Sequence, residues 1–358
     1  MKKLSPQQYT QLQKELDSIH EDALSQVGKT DADYIRRIIL IQRLAEICGR
    51  ITMVLGFIHP MFWLLGVLLL ASAKILDNME IGHNVLHGQY DWMNDPDINS
   101  RNFEWDIACD SGSWKRTHNF EHHTYTNIIG KDRDFGYGLL RLSGDIEWKI
   151  KNIWQILTYI NLSLFFEWGI AYHEMAAERV FIGKKKAGRK QQVSDKELKK
   201  KFFGKAFKQI FKDYLFFPII AGPMFIPVIL GNLLANLIRN LWTSTIIFCG
   251  HFTEDVQTFS QSECKNESKG QWYHRQMLGS SNLQGPRWFH VLTGHLSCQI
   301  EHHLYPAIPA HRYVDMSKQV KKVANKYGIP YNSGSFIGQY ATVLKRVLRY
   351  SFPNKVLT

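Results

Sequence analysis

Cysteine is scarce and unpaired in this sequence of 358 residues: Cys48, Cys109, Cys249, Cys264 and Cys298 form no Cys-x-x-Cys pair and are odd in number. That argues against a disulfide framework and a thiolate zinc site, and it fits a reducing compartment. Residues 1–37 are polar and lack the apolar core of a signal peptide. No Gly-x-Gly-x-x-Gly run occurs, so no dinucleotide-binding unit is expected. Acidic residues are outnumbered, 32 Asp and Glu against 44 Lys and Arg, which leaves a formal charge of +12. A charged fraction of 21% with 13% aromatics excludes a disordered chain. The mean hydropathy of −0.24 excludes a chain built mostly of membrane spans, but not a few spans beside a large polar part.

Charge is missing altogether from Ile51 to Ala73, where only His59 and Pro60 interrupt the apolar run. A bilayer core needs about 20 apolar residues per helix. The region predicts a hairpin of two helices, about 38–58 and about 60–87. Arg43, Glu46 and Arg50 start the first at the interface, and the second carries Asp77, Asn78, Glu80, His83 and His87 into water. A second apolar region, Tyr214 to Gly250, predicts a hairpin turning near Gly231-Asn232, with Arg239 snorkelling, paired or set deeper in the protein. Ile153 to Tyr172 is apolar enough to span, but Lys184 to Lys212 carries twelve Lys and Arg against Asp195 and Glu197. The positive-inside rule puts this basic loop on the side of the N-terminus, and an even number of spans keeps the histidine clusters on one side. Residues 153–172 are therefore read as an interfacial helix. The basic charge accompanies no nucleic-acid motif and reads as topology and contact with anionic headgroups.

The fold class expected is all-α integral membrane: a four-span helical stem of two hairpins, with a cytosolic helical cap. Its parts are a polar segment 1–37, a first transmembrane hairpin 38–87, a cytosolic and interfacial region 88–213 with the basic loop, a second hairpin 214–250, and a cytosolic C-terminal region 251–358.

The chain has 15 histidines, and they cluster. His83 and His87 are spaced i, i+4, as are His118 and His122, with His123 following. That spacing puts a pair on one helix face. A third cluster holds Gln299, His302 and His303, and His251 ends the last apolar run. His20, His59, His173, His274, His290 and His311 stand apart and read as structural or solvated. Eight neutral imidazoles are too many for one ion and suit two. Nitrogen ligands with room for exogenous ligands suit redox iron that binds dioxygen, and the ligand types alone do not exclude zinc. His118-Asn-Phe-Glu121-His122 also reads as an inverted zinc-peptidase motif with Glu121 as base, the mark of a membrane hydrolase, which leaves the other clusters without a role.

The order HxxxH, HxxxHH, a lone His, then QxxHH resembles the membrane fatty acid desaturases. So do the flanks His87-Gly-Gln-Tyr-Asp-Trp-Met-Asn-Asp-Pro96, Thr117-His-Asn-Phe-Glu-His-His-Thr-Tyr-Thr-Asn127 and Gly294-His-Leu-Ser-Cys-Gln-Ile-Glu-His-His-Leu-Tyr-Pro306, which are similar to the bacterial acyl-CoA and acyl-lipid enzymes. The resemblance covers roughly residues 30 to 340. It implies a cap holding two iron ions (Fe2+/Fe3+), with His83, His87, His118, His122, His123, His251, His302 and His303 as ligands. Gln299 occupies the place of a ninth histidine in many relatives; an amide oxygen, a water or His295 would fill it. Animal relatives place an Asn four residues before the lone His, where this chain has Ile247.

The implied reaction introduces a double bond into an acyl chain, acyl-CoA or acyl-lipid, using dioxygen and two external electrons. An acyl tunnel is expected, lined from stretches such as Phe103, Trp105 and Trp114, with Lys115 and Arg116 meeting a substrate phosphate. Asp77, Glu80, Asp106, Asp110, Glu121, Asp132, Asp134 and Glu301 are candidates to orient the imidazoles. No haem-binding HPGG is present, so the electron donor is a separate protein, a ferredoxin or a small cytochrome with its reductase. Lys318, Lys321, Lys322 and Lys326, stopped by Gly328, predict a basic amphipathic helix. The bacterial resemblance places the protein in an inner membrane with termini and histidine clusters cytoplasmic. The rivals are a hydroxylase with the same site, a membrane zinc hydrolase and a metal transporter.

Overall fold

The computed structural model describes residues 4–183 and 193–354, so most of the first half of the basic loop lies outside the described residues. The described residues are mostly helical; the two strands among them, Asn282–Gln284 and Ser333–Ser335, pair in parallel and have three residues each.

Helix α1 (Pro6–Ser25) starts at a capping box, Ser5 with Gln8. Tyr9, Leu12, Leu16, Ile19 and Ala23 recur at helical spacing and are buried. Their partners include Tyr313, Met316, Val320 and Ala324 of the basic helix Tyr313–Tyr327, which ends at Gly328 in the left-handed region (φ 63°). The polar N-terminal segment is thus a docked helix over most of its length. Helix α2 (Lys29–Val54) begins earlier than its apolar pattern predicts. Its first turns bury Ile35 and Ile38 with Ile81 and Val85, close to the first histidine cluster.

After a turn at 55–59, α3 (Pro60–Leu86) starts with His59 Nδ1 accepting from Met61 N at 3.2 Å and with Pro60 preset for the first turn. Gly49 of α2 and Gly66 of α3 bring the two backbones together. A Cβ on Gly49 would lie 2.8 Å from Leu70 N, and one on Gly66 would collide with the Met53 backbone.

Residues 153–172 form two helices, Gln155–Leu164 and Phe166–Glu174, broken at Phe165. Each is too short to span a bilayer. What sequence reads as a basic loop is, from Asp195, a helix that continues through a π turn to Ile220. Its lysines meet acids of an earlier segment: Lys205 pairs with Glu104 at 2.9 Å, and Lys212 pairs with Asp106.

The chain reverses at Gly222-Pro223, not at Gly231-Asn232, and Phe225–His251 is one unbroken helix. Gly231 is small because a Cβ there would press on Met53 Sδ at 2.5 Å, and Asn232 Nδ2 donates to Asp213 O at 2.5 Å. Both residues serve helix contact where the composition suggests a turn. Arg239 neither snorkels nor faces lipid: it is buried and paired with Glu167.

Pro60–Leu86 and Gly222–His251 are long and apolar enough to cross a membrane. Around them the surface is apolar. Leu40, Ile41, Leu44, Ile47 and Ile51 of α2 are exposed, as are Leu64, Leu65 and Leu68 of α3 and Ile219, Ile220, Ile226 and Leu230 about the later reversal. An apolar surface this extensive is foreign to a protein surrounded by water.

Candidate metal centre

Four elements carry the histidine clusters to one place. His83 is the last residue of a π turn over Leu76–His83 near the end of α3, and His87 caps that end. His118, His122 and His123 lie on a short helix opened by Asp110, whose carboxylate accepts from Ser113 N at 2.8 Å; it too contains a π turn, Lys115–His122. His251 ends the long Phe225–His251 helix, and His302 and His303 lie on Gln299–Leu304. Wide π turns are frequent at functional sites. The second spans the His118–His122 pair itself, in place of the regular helix that the i, i+4 spacing predicts; in the first pair His87 N bonds His83 O at 3.1 Å, as the spacing predicts.

Seven imidazoles fall into two groups, His83, His87, His118 and His302 in one and His122, His251 and His303 in the other. Ring nitrogens within each group lie within 4.8 Å of one another. The eighth, His123, sits between them, its ring 4.7 Å from that of His87 and stacked at 4.4 Å on that of His303. Both histidine boxes with adjacent histidines are split: His302 joins one group and His303 the other, and His118 and His122 also part.

Within the groups, nitrogen faces nitrogen. His83 Nε2 lies 3.2 Å from His302 Nε2, and His251 Nε2 lies 3.3 Å from His122 Nε2 and 3.2 Å from His303 Nε2. His87 Nε2, His118 Nε2 and both ring nitrogens of His123 are buried with no hydrogen-bond partner among the described residues. Buried polar atoms are rarely left so. Converging, unpartnered imidazole nitrogens are the donor set that a metal ion satisfies.

The electrostatics favour the ligating form. Burial, followed by neighbouring imidazoles, holds His87, His123, His302 and His303 well below the ordinary histidine range, so their rings are neutral. Burial also lowers His118, against the pull of Asp134. For His122, burial lowers and Asp132 raises, and the net shift is upward. Carboxylates fix the rings: His122 Nδ1 donates to Asp132 Oδ1 at 3.0 Å, and His118 Nδ1 to Asp134 Oδ2 at 3.0 Å. His303 Nδ1 has Gln276 Oε1 at 3.1 Å and Thr126 Oγ1 at 3.2 Å.

Of the acids near the clusters in sequence, Asp132 and Asp134 orient imidazoles of the groups. Glu80 instead bonds His295 Nδ1 at 2.9 Å, and Glu301 accepts from Asn282 and Tyr331. His295 lies outside both groups. Gln299 points into the second, with Nε2 3.0 Å from His251 Nε2. Half a revolution of its amide would bring Oε1 to the same place. Lys115 bonds Ser100 O, and Arg116 Nη2 donates to Ser113 Oγ at 2.9 Å, so both are engaged within the protein. Sequence reasoning passed over Gln276, which no motif marks, and Thr126, which lies in a motif flank. His173, read as structural or solvated, has Nε2 3.4 Å from Asp134 Oδ1, behind the partner of His118.

Beside the two groups lies a narrow cavity. His83, His118, His122 and His251 form one end of its lining. Trp105, Trp114, Ile170, Ile247 and Phe252 make much of the rest. Trp105 and Trp114 are two of the three aromatics expected in a tunnel wall; the third, Phe103, packs into the neighbouring core instead.

The sequence model of the family "Fatty acid desaturase" matches residues 58–335. Over 347 residues the chain is 42% identical to an NADPH-dependent stearoyl-CoA 9-desaturase of Mycobacterium tuberculosis, covering 96% of this chain and 80% of that protein. It is 24% identical over 279 residues to an sn-1 linoleoyl-lipid 6-desaturase of Synechocystis, covering 75% of this chain and 74% of the relative. It is 26% identical over 237 residues to a fatty acid desaturase 2-like protein of Mus musculus, covering 66% of this chain and 45% of the relative. The buried histidine groups beside an apolar cavity, and a match that spans most of the chain, place this protein in the fatty acid desaturase family.

Proposed function

We propose that this enzyme is an acyl-CoA desaturase of the membrane, holding two iron ions on the two imidazole groups and taking its electrons from a separate carrier protein. His83, His87, His118 and His302 would hold one ion and His122, His251 and His303 the other, with His123 between them and Gln299 completing the second site directly or through water. The carrying observation is the convergence of buried imidazole nitrogens, several of them unpartnered, beside a largely apolar cavity that four of the rings line. The stearoyl-CoA relative supports an acyl-CoA substrate, and the NADPH in its name supports an external reductant.

The overall change removes two hydrogens from adjacent methylenes. With dioxygen, two electrons and two protons, it yields a double bond and two waters. When bound, iron supplies the dioxygen chemistry that no acid–base side chain has. The protein does the rest. Burial keeps the rings unprotonated. Asp132, Asp134, Gln276 and Thr126 set their orientation. Trp105, Trp114 and Ile247 line a cavity that would keep water from an alkyl chain and hold its carbons beside the groups, where an error of about 1 Å matters.

The membrane would be crossed by four helices. α2 and the end of the Asp195–Ile220 helix join the two long apolar helices, because their outward faces are equally apolar. This leaves the histidine groups on the cytoplasmic side with both termini, in a bacterial inner membrane.

Expression in a host with a simple lipid profile, with double-bond mapping, tests the reading. A new unsaturated acyl product and close to two irons per chain are expected. Oxygen insertion in place of hydrogen loss would make the enzyme a hydroxylase.

A further inference from the structure

The cavity runs along two helices and ends on a salt bridge. On the Phe225–His251 helix it is lined by Arg239, Asn240, Thr243, Ile247 and His251, and by nothing before Arg239. Arg239, Thr243, Ile247 and His251 recur every four residues and share a face; at 1.5 Å per residue, His251 and Arg239 are about 18 Å apart along the axis. The Phe166–Glu174 helix runs the other way. Glu174 lies by Asp134, the partner of His118, and two turns back Glu167 meets Arg239. The imidazoles are therefore at one end and the Glu167–Arg239 pair is at the other.

That end is rigid. The two side chains are 6% and 2% exposed. Glu167 Oε1 accepts from Ala108 N at 2.8 Å, and Asn240 Nδ2, from the residue beside Arg239, donates to Leu164 O at 2.8 Å. An apolar floor can repack around one more methylene. A buried ion pair cannot, because an alkyl group wedged into it would separate two charges in a dry interior and offer neither a partner.

We infer that the Glu167–Arg239 pair is the chain-length stop of this enzyme: it limits how much of a saturated acyl chain fits beyond the histidine groups. The inference rests on the cavity being the acyl site, as proposed above.

The test is a competition. Cells expressing the enzyme are fed a graded mixture of saturated fatty acids, and the ratio of longer to shorter desaturated products is measured within each culture. Replacing both partners, Glu167→Leu with Arg239→Met, removes the charges together and leaves no unpaired ion. One methylene is worth about 10- to 200-fold in discrimination by a pocket, so the ratio should rise at least about tenfold. Arg239→Lys keeps the charge but gives up the volume of the guanidinium, and should move the ratio the same way by less. A ratio unchanged in both variants overturns the stop. So does loss of all product from both while the parent enzyme works, since the pair would then be structural. A parent enzyme that makes no unsaturated product sinks the desaturase reading instead, whatever the variants do.

Discussion

The two imidazole groups are built differently. The first takes two of its four rings from the end of one long helix; among the described residues only His118 of the four is oriented by a carboxylate, and that carboxylate also faces His173. The second has three rings, all buried, drawn from three separate elements. His122 has both oxygens of Asp132, His303 has Gln276 and Thr126, and the amide of Gln299 abuts His251. Where ring count is lower, outer support is greater. The first group relies on number and the second on orientation.

The comparison can be broken most directly by removing a ring from each group. His302→Ala and His122→Ala should each abolish desaturation and lower iron content while leaving membrane insertion intact, as read by product analysis and metal assay. Full activity in either variant would remove that residue from the site. Next come the carboxylates. Asp132→Asn should lower metal retention or activity by about 10- to 100-fold, the usual effect of losing such a partner, and Asp134→Asn by less, because its oxygens are shared. The opposite order, in a chelator competition, would reverse the contrast between the groups.

A smaller effect concerns acid. His87, His123, His302 and His303 titrate below 6.5 when folded, whereas the unfolded chain takes up those protons near 6.5. The stability they contribute is fully present above pH 6.5 and is lost as pH falls below it. His122, shifted upward, acts in the opposite sense. The thermal midpoint of the chelated protein should therefore fall on acidification below about pH 6.5, and more steeply in Asp132→Asn. A flat profile would contradict the burial argument. The smallest effect is expected at Gln299. Gln299→Ala should cost a few-fold in metal retention, and Gln299→His should recover or exceed the parent value.

Much of the site is written locally. The i, i+4 histidine pairs and their flanks are short-range patterns, and they identify the residues that the fold gathers. The grouping is not local. That adjacent His302 and His303 part company depends on three other elements, and Gln276 reaches His303 from a helix with no motif at all. In the fold, α3 was legible because charge is absent over a bilayer's length. The later reversal was misplaced because Gly231 and Asn232 have the composition of a turn and the function of a helix contact, which only the position of Met53 reveals. Arg239 looked anomalous for the same reason: its partner lies on a separate helix, far back in the chain.

The close passage of Gly49 past Gly66 has a mechanical consequence. With backbone against backbone there, and Ile35 and Ile38 gripping Ile81 and Val85 further on, α3 is pinned to α2 at two heights. A helix held in this way cannot slide to suit a thicker or thinner lipid layer. In the proposed four-helix topology any accommodation would tilt the pair as one strut, and His83, near its tip, would keep its level relative to its neighbour.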